Sequence, residues 1–299
     1  MKKLLTFSFI GGDLRQLYVV LALAESGFNI RVYGFPKDSK KWNDNIYVAD
    51  SVKDCTSGAD VIVLPLPYSQ DTSMPFDKKR INAPLFEKEI YIKEVIKYTN
   101  KKAVVFAGKI DDEFNENCKK HRLEIIDYSE REELAIMNAV PTVEGALEIA
   151  MANTEFTLHN SRCLVIGYGR IGKILSADLK GLGARVTATA RKYSDLALIV
   201  ANNLDGKNTC ELDKIVGDYD VIFNTVPQKV LDFNILSRTR KDVLIVDLAS
   251  KPGGVDFDVA KELGRQVIWA LSLPGKVAPL TAGHIIKDTL MNILEELEV

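Results

Sequence analysis

The sequence predicts an α/β fold: two tandem doubly wound parallel-sheet domains with a cleft between them. Three observations predict it. A glycine-rich turn, Gly167-Tyr168-Gly169-Arg170-Ile171-Gly172, stands between an apolar run and a helical pattern. Strand-like and helix-like stretches alternate along the chain, which implies parallel sheets covered on both faces. The alternation also occurs twice, on the same plan.

The first copy opens with Leu4 to Ile10 as a strand, Gly11-Gly12 as a turn, and a helix from about Leu14 to Ser26. Gly27 ends that helix, and Asn29 to Gly34 form the next strand. The second copy repeats this with strand Arg162 to Ile166, the glycine turn, a helix from Lys173 to Leu182, Gly183, and strand Ala184 to Ala190. Ala59 to Pro67 matches Tyr219 to Pro227, Ala103 to Gly108 matches Val243 to Ala249, and Leu123 to Asp127 matches Gln266 to Ala270. Between the copies, Glu132 to Asn138 is helical in pattern. Pro141 is expected to break or restart that helix, with Thr142 near the new start. The interruption predicts a hinge. Thr281 to Leu297 forms an amphipathic helix expected to return to domain one. The boundaries are therefore 1–138 plus 281–299 for a substrate domain and 139–280 for a Rossmann-like nucleotide domain.

The glycine turn carries specific chemistry. Its first glycine permits the tight turn, the second lets a pyrophosphate approach the backbone, and the third lets helix pack close on strand. The helix N-terminus supplies N–H groups and partial positive charge for phosphates. Gly167, Tyr168, Gly169, Arg170, Ile171 and Gly172 are thus candidate cofactor residues. The residue closing the second strand selects the dinucleotide: an acid accepts from the ribose 2′-hydroxyl of NAD, whereas an arginine accommodates the 2′-phosphate of NADP. That strand ends in Arg191-Lys192, with no acid before Asp195. NADP is favoured over NAD.

The first copy lacks this fingerprint. Arg15-Gln16 stand where the third glycine belongs, and Asp13 is an acid at the helix start. Asp13 reads either as a cap or as a group repelling phosphate. Arg15 reads either as a surface residue or as an anchor for a small carboxylate.

Composition bounds the rest. The chain has 299 residues, 46% hydrophobic and 27% charged, with a net charge of −2. That fits a soluble two-domain globular protein and implies no broad attraction to nucleic acid or membrane. Cys55, Cys118, Cys163 and Cys210 lack metal-ligand spacing and read as reduced thiols of a cytoplasmic protein. Met1-Lys2-Lys3 precedes an apolar run too short for a signal peptide, and no stretch approaches transmembrane length.

Ligands of doubly wound sheets bind outside the carboxyl ends of the strands. Thr225-Val226-Pro227 and Leu248-Ala249 should lie near the cofactor. Gly12, Asp13, Pro65, Pro67, Asn138, Thr142, Lys251 and Lys276 are candidate substrate contacts alongside Arg15. The three histidines give no sharp acid or base. His284 has the best position of the three, and Asp247 and Lys276 are further weak catalytic candidates; the proton acceptor stays unassigned. No metal pattern, Ser/His/Asp set or P-loop can be assembled.

The turn Gly11 to Gln16, the stretch Asn138-Ala139-Val140-Pro141-Thr142-Val143-Glu144-Gly145 and the glycine fingerprint belong to a wider pattern. So do Asp247 to Asp256, Leu273 to Pro279 and Thr281-Ala282-Gly283. Together, over nearly the whole length, they resemble the dipicolinate synthase A-chain family of spore-forming bacteria. The resemblance implies oxidation of a 4-hydroxy-tetrahydrodipicolinate, derived from the lysine pathway's intermediate, to pyridine-2,6-dicarboxylate, with NADP as acceptor. It also implies a partner, the flavoprotein-like B-chain of dipicolinate synthase, and a mother-cell cytoplasmic location; homo-oligomerisation is left open. More distantly, the plan is similar to 2-hydroxyacid and alanine dehydrogenases. The arginine-then-carboxylate pattern and the His-Gly pair of the 2-hydroxyacid group are absent. A 2-hydroxyacid or amino acid dehydrogenase, and a non-catalytic nucleotide-binding sensor or assembly component, are the alternatives.

Overall fold

Runs such as Val61-Ile62-Val63 and Leu244-Ile245-Val246 are apolar on both faces, the signature of strands buried from both sides of a parallel sheet. The computed structural model describes residues 4–37, 42–71 and 73–298. The chain divides into two compact units: Met1–Met137 with Ala278–Val299, and Asn138–Val277. The Met1-Lys2-Lys3 start lies outside the described residues.

Unit 1 contains β1 (Thr6–Ile10), α1 (Leu14–Glu25), β2 (Asn29–Tyr33), β3 (Ile46–Val48), α2 (Val52–Thr56), β4 (Val61–Val63), α3 (Ile92–Tyr98), β5 (Val104–Ala107), α4 (Asp112–Lys120), β6 (Glu124–Asp127) and α5 (Glu132–Met137). Its strands form one six-stranded parallel sheet in the order β3-β2-β1-β4-β5-β6. Unit 2 contains α6 (Ala139–Ala152), β7 (Arg162–Ile166), α7 (Arg170–Gly181), β8 (Arg185–Ala190), α8 (Tyr193–Ala201), β9 (Asp205–Asn208), α9 (Leu212–Ile215), β10 (Val221–Asn224), α10 (Phe233–Leu236), β11 (Leu244–Asp247), α11 (Phe257–Glu262), β12 (Gln266–Trp269) and α12 (Leu273–Val277). Its six-stranded parallel sheet runs β12-β11-β10-β7-β8-β9, the same order from the opposite edge. In each sheet the order reverses beside the first strand, which is where ligands of this fold bind.

Alternation along each strand splits each unit's core into two layers. In unit 1, Val61, Val63, Val104 and Phe106 pack on one face, and Ile62, Leu64, Val105 and Ala107 on the other. In unit 2, Cys163, Val165, Val221 and Phe223 face one layer, and Leu164, Ile166, Ile222 and Ile245 the other. The last helix, α13 (Pro279–Glu296), belongs to unit 1. Its Ile285, Ile286, Leu290, Ile293 and Leu294 join Leu17, Val20 and Leu23 of α1 in one core. Gly283 makes the close approach possible: a Cβ there would stand 2.7 Å from the Arg15 carbonyl and from Tyr18 Cβ.

Two expectations need correction. The helix break falls at Asn138, not at Pro141. Pro141 sits in the first turn of α6, where a missing N–H costs nothing. Thr142 is not a cap; its hydroxyl and its N–H both bond the Asn138 carbonyl, at 2.7 and 3.3 Å. Second, Glu132–Ala152 is long and apolar enough to cross a membrane by length and composition. The apolar content has an internal cause: Val143, Ala146 and Ala150 fill the unit 2 core, and Leu134 the unit 1 core.

Candidate functional site

The glycine turn of unit 2 has the geometry of a phosphate cradle. Gly167 adopts φ +95°, and a Cβ on it would stand 2.5 Å from Thr225 Oγ1 and 2.9 Å from Val226 Cγ2. A Cβ on Gly172 would stand 2.1 Å from the Gly167 carbonyl oxygen, so α7 touches the end of β7 only because no side chain intervenes. Gly169 is the N-cap of α7 and brings no capping side chain. A Cβ there would meet no protein atom within 4 Å. Two glycines are therefore required by the protein itself, and the third opens space at a helix N-terminus. That combination fits a dinucleotide pyrophosphate.

β8 ends at Ala190, and Arg191 and Lys192 follow, both exposed. Neither has an ion-pair partner among the described residues. Lys192 is the N-cap of α8 and contributes no side-chain cap. The carboxyl end of β8 thus presents two exposed cations, with Asp195 following in the first turn of α8.

The other predicted cofactor residues divide. Thr225 and Val226 contact the cradle directly, as the Gly167 distances show, while Pro227 is exposed beyond them. Arg170 is exposed and Ile171 half-buried at the start of α7. Tyr168 turns inward: it is 6% exposed, and its hydroxyl accepts from Asn202 Nδ2 at 3.2 Å. Its ring lines a separate groove of about 660 Å³ beside α7, with Lys173, Ile174 and Ala177. Leu248 is buried in the unit 2 core, and its N–H donates to the Asn224 carbonyl. Ala249 donates to Asp247 Oδ1 and accepts from Trp269 Nε1. The turn, Thr225, Val226, Arg191 and Lys192 therefore form one edge; Tyr168, Leu248 and Ala249 support it from inside.

Asp247 is fully buried, and both its oxygens are committed. Oδ1 accepts from Asn224 Nδ2 at 2.8 Å and Ala249 N at 3.1 Å; Oδ2 accepts from Gly254 N at 2.8 Å. A carboxylate so placed ties the loop after β11 to the end of β10. His284 lies in the second turn of α13 and is exposed, not at its opening. Lys251 and Lys276 are exposed, and Lys276 belongs to the short helix α12.

In unit 1 the corresponding turn is occupied by the protein's own groups. Asp13 is the N-cap of α1 and accepts from Arg15 N at 2.9 Å. Arg15 closes on it through Nε and Nη2, with Nη2 at 2.8 Å, and Nη2 also donates to the Leu66 carbonyl. Nη1 has no partner among the described residues. Gly12, at φ +131°, is closed over Gln16, whose Cβ would lie 2.4 Å from an added Cβ. Pro65 is buried and Pro67 half-buried along the same segment. Asn138 Oδ1, at the start of unit 2, is buried without a partner among the described residues.

Sequence reading passed over several residues that shape these edges. Asn224 ends an apolar strand and pairs in register with Asp247. A polar residue closing Val221-Ile222-Phe223 was the available signal. Gly254, tight against Asn224 Nδ2 and the Val226 carbonyl, was visible only as part of a glycine pair. Lys79, with a side chain 3% exposed, bonds Asp111 at 2.6 Å and Glu113 at 2.8 Å. Nothing in its local sequence marks it as buried.

Two Rossmann-like units, one with an intact phosphate cradle, define a dehydrogenase-like NAD(P)-binding protein. Residues 143–250 match the family model of the D-isomer specific 2-hydroxyacid dehydrogenase NAD binding domain, and residues 6–129 match that of the dipicolinate synthase A-chain N-terminal domain. The protein is 32% identical over 297 residues to the dipicolinate synthase A-chain of Bacillus subtilis (strain 168), covering 98% of this chain and 97% of that one. It belongs to the dipicolinate synthase A-chain family. The crystal structure of the Bacillus subtilis A-chain superposes with a TM-score of 0.88 at 31% identity, covering 100% of this chain and 98% of that one. That of the Bacillus halodurans A-chain gives 0.87 at 29%, covering 97% of each chain. An L-alanine dehydrogenase shares the fold alone, with a TM-score of 0.63 at 15% identity over 97% of this chain and 90% of that one.

Proposed function

We propose that this protein is the A-chain of a dipicolinate synthase. In this reading it oxidises 4-hydroxy-tetrahydrodipicolinate to pyridine-2,6-dicarboxylate with NADP. The observation that carries the reading is likeness to a named dipicolinate synthase A-chain across 98% of the sequence, in a protein whose phosphate cradle is intact. Gly167, Gly169, Gly172, Thr225 and Val226 hold the dinucleotide, and Arg191 with Lys192 takes the 2′-phosphate. The nicotinamide, when bound, supplies the hydride acceptor.

The substrate carries two carboxylates and needs cationic anchors. Arg15 is the unit 1 candidate through Nη1, oriented by Asp13 and the Leu66 carbonyl. Lys251 and Lys276 are exposed candidates in unit 2. Loss of water, a hydride and a proton makes the ring aromatic, so the reaction is drawn forward and demands little from a general base. That is consistent with a chain whose three histidines are scattered. The synthase's B-chain is the expected partner, and the mother-cell cytoplasm the expected location.

The test is incubation of the purified protein with the substrate, generated from the lysine-pathway intermediate, and NADP. Formation of NADPH and dipicolinate in equal amounts is expected. Absence of both, with and without the B-chain, would refute the reading. The 2-hydroxyacid dehydrogenase reading keeps one support, the match over residues 143–250, and predicts NADH formation from a small 2-hydroxy acid instead.

A further inference from the structure

The carboxyl ends of β10 and β11 are tied by a buried polar pair that no cofactor contact explains. Asn224 and Asp247 are neighbours in register, both fully buried. Asn224 Nδ2 donates to Asp247 Oδ1 at 2.8 Å and to the Val226 carbonyl at 3.0 Å, while Asn224 Oδ1 accepts from Val226 N at 3.2 Å. The amide thereby sets the first loop after β10. Asp247 sets the loop after β11, by accepting from Ala249 N and Gly254 N. The Gly254 carbonyl then accepts from Val230 N and Leu231 N, both at 3.0 Å, joining the two loops again further out. Trp269, stacked on Phe257 at 4.9 Å, donates to the Ala249 carbonyl and fixes the loop from below.

Gly254 shows how closely the parts fit. A Cβ on it would stand 2.0 Å from Asn224 Nδ2 and 2.6 Å from the Val226 carbonyl. A dinucleotide crosses the point where the strand order reverses, with its adenosine half over β7 to β9 and its other half over β10 to β12. The paired loops therefore border the nicotinamide half, while Arg191 and Lys192 border the adenosine half.

We propose that Asn224 and Asp247 form a positioning latch that sets loops 225–227 and 248–254 to receive the nicotinamide half of the dinucleotide. The proposal rests on the dinucleotide-binding domain and not on the dipicolinate reading, and its readout needs no turnover. In Asp247→Asn an amide N–H faces the Gly254 N–H, two donors with no acceptor between them.

Titrate wild type and Asp247→Asn with NADP+ and with adenosine 2′,5′-bisphosphate, which lacks nicotinamide, and record thermal unfolding alongside. The latch predicts that NADP+ affinity falls at least about tenfold while the bisphosphate stays within about twofold, because one buried donor is left unpaired. Gly254→Ala and Asn224→Ser should show the same split and serve if Asp247→Asn does not fold. If the wild type prefers NAD+, the pair becomes NAD+ and AMP, and only the phosphate assignment changes. Equal loss of both ligands would mark the pair as general scaffolding, and unchanged affinity for both would also overturn the latch.

Discussion

The two helix-entry turns, Gly11 to Gln16 in unit 1 and Gly167 to Gly172 in unit 2, occupy equivalent places in equivalent sheets. They share only their first glycine, and two of their differences matter most. Where unit 2 has Gly169 as an N-cap without a side chain, unit 1 has Asp13, whose carboxylate binds the helix N-terminus itself. Where unit 2 has Gly172, unit 1 has the buried Gln16, whose amide donates to the Leu64 carbonyl and Tyr128 hydroxyl at 3.0 Å each. One fold thus leaves a helix N-terminus open in one copy and fills the same place with its own carboxylate in the other. Specificity resides in which side chains are missing.

The sharpest way to break that comparison is to put a side chain back. Gly172→Ala places a Cβ 2.1 Å from the Gly167 carbonyl and must push α7 off β7. Overpacking of this kind costs about 1–3 kcal/mol, and taken from binding that lowers dinucleotide affinity by about five- to 150-fold. Calorimetric titration checks it; near-normal affinity would show that the third glycine is dispensable here. The reverse change, Gln16→Gly, should give unit 1 no dinucleotide affinity, since Asp13 still closes the helix.

The next effect concerns which dinucleotide the open turn accepts. Arg191→Ala should weaken NADP binding by about ten- to a hundredfold, the worth of a hydrogen bond to a charged group at roughly 1.5–3 kcal/mol. NAD should change little. Equal losses for both would remove Arg191 from the 2′-phosphate.

Much of this contrast was legible in the sequence, and the reason is local. Glycine turns, apolar strands and helix periodicity are short-range patterns, so the repeated sheet and the cradle follow from residues within a few positions of each other. What stayed hidden depends on contacts across strands. Asp247 read as a weak catalytic candidate because one of its three donors, Asn224, lies on the neighbouring strand, and the other two, Ala249 and Gly254, reach it only through the fold of the loop that follows. Tyr168 lies inside the fingerprint, yet its ring packs away from the cradle. Pro141 read as a breaker because proline disrupts helix interiors, whereas the restart at Ala139 puts it in the first turn. Short edge strands such as β3 and β9 offered too few residues for a periodicity to register.

On the unit 1 side, Arg15 is a guanidinium already paired with an acid, with one nitrogen left over. If that nitrogen anchors a substrate carboxylate, Arg15→Ala should raise the substrate requirement about tenfold, the worth of one charge-assisted bond. NADP affinity should be untouched. Arg15→Lys should recover only part, because a lysine cannot hold Asp13, Leu66 and a ligand in one plane. Unchanged kinetics in a folded Arg15→Ala protein would move the anchor to Lys251 or Lys276.

The units also differ after their fourth strands. Unit 2 passes from β10 to α10 through residues 225–232, whereas unit 1 takes the longer path 64–91 from β4 to α3. That path is fastened by charge: Lys79 to Asp111 and Glu113, Arg80 to Asp71 and Glu89, and the Tyr68 hydroxyl to Asp111 at 2.7 Å. Burial pushes the Asp111 carboxyl up, but the bonds from Lys79 and Tyr68 outweigh it and hold it below its ordinary value. The Arg80 guanidinium lowers Asp71, and Lys79 lowers Glu113. Burial works to lower the Lys79 ammonium, yet its two carboxylates leave it raised. For the acids, the stabilisation is complete above their ordinary range near pH ~4 and is lost as pH falls through the lowered values. For Lys79 it is complete below about pH 10.5 and lost as pH rises through the raised value. The fastening should therefore be constant around neutrality and loosen first in acid. Amide exchange in residues 73–91 should quicken by about three- to tenfold relative to the β1 and β4 core as pH drops below ~4, a modest effect because Asp111 and Glu113 are partly solvated. Lys79→Met should abolish most of that acid response while the share due to Asp71 and Arg80 persists. Exchange that rises equally across unit 1 in both proteins would mean the charges do not fasten this segment.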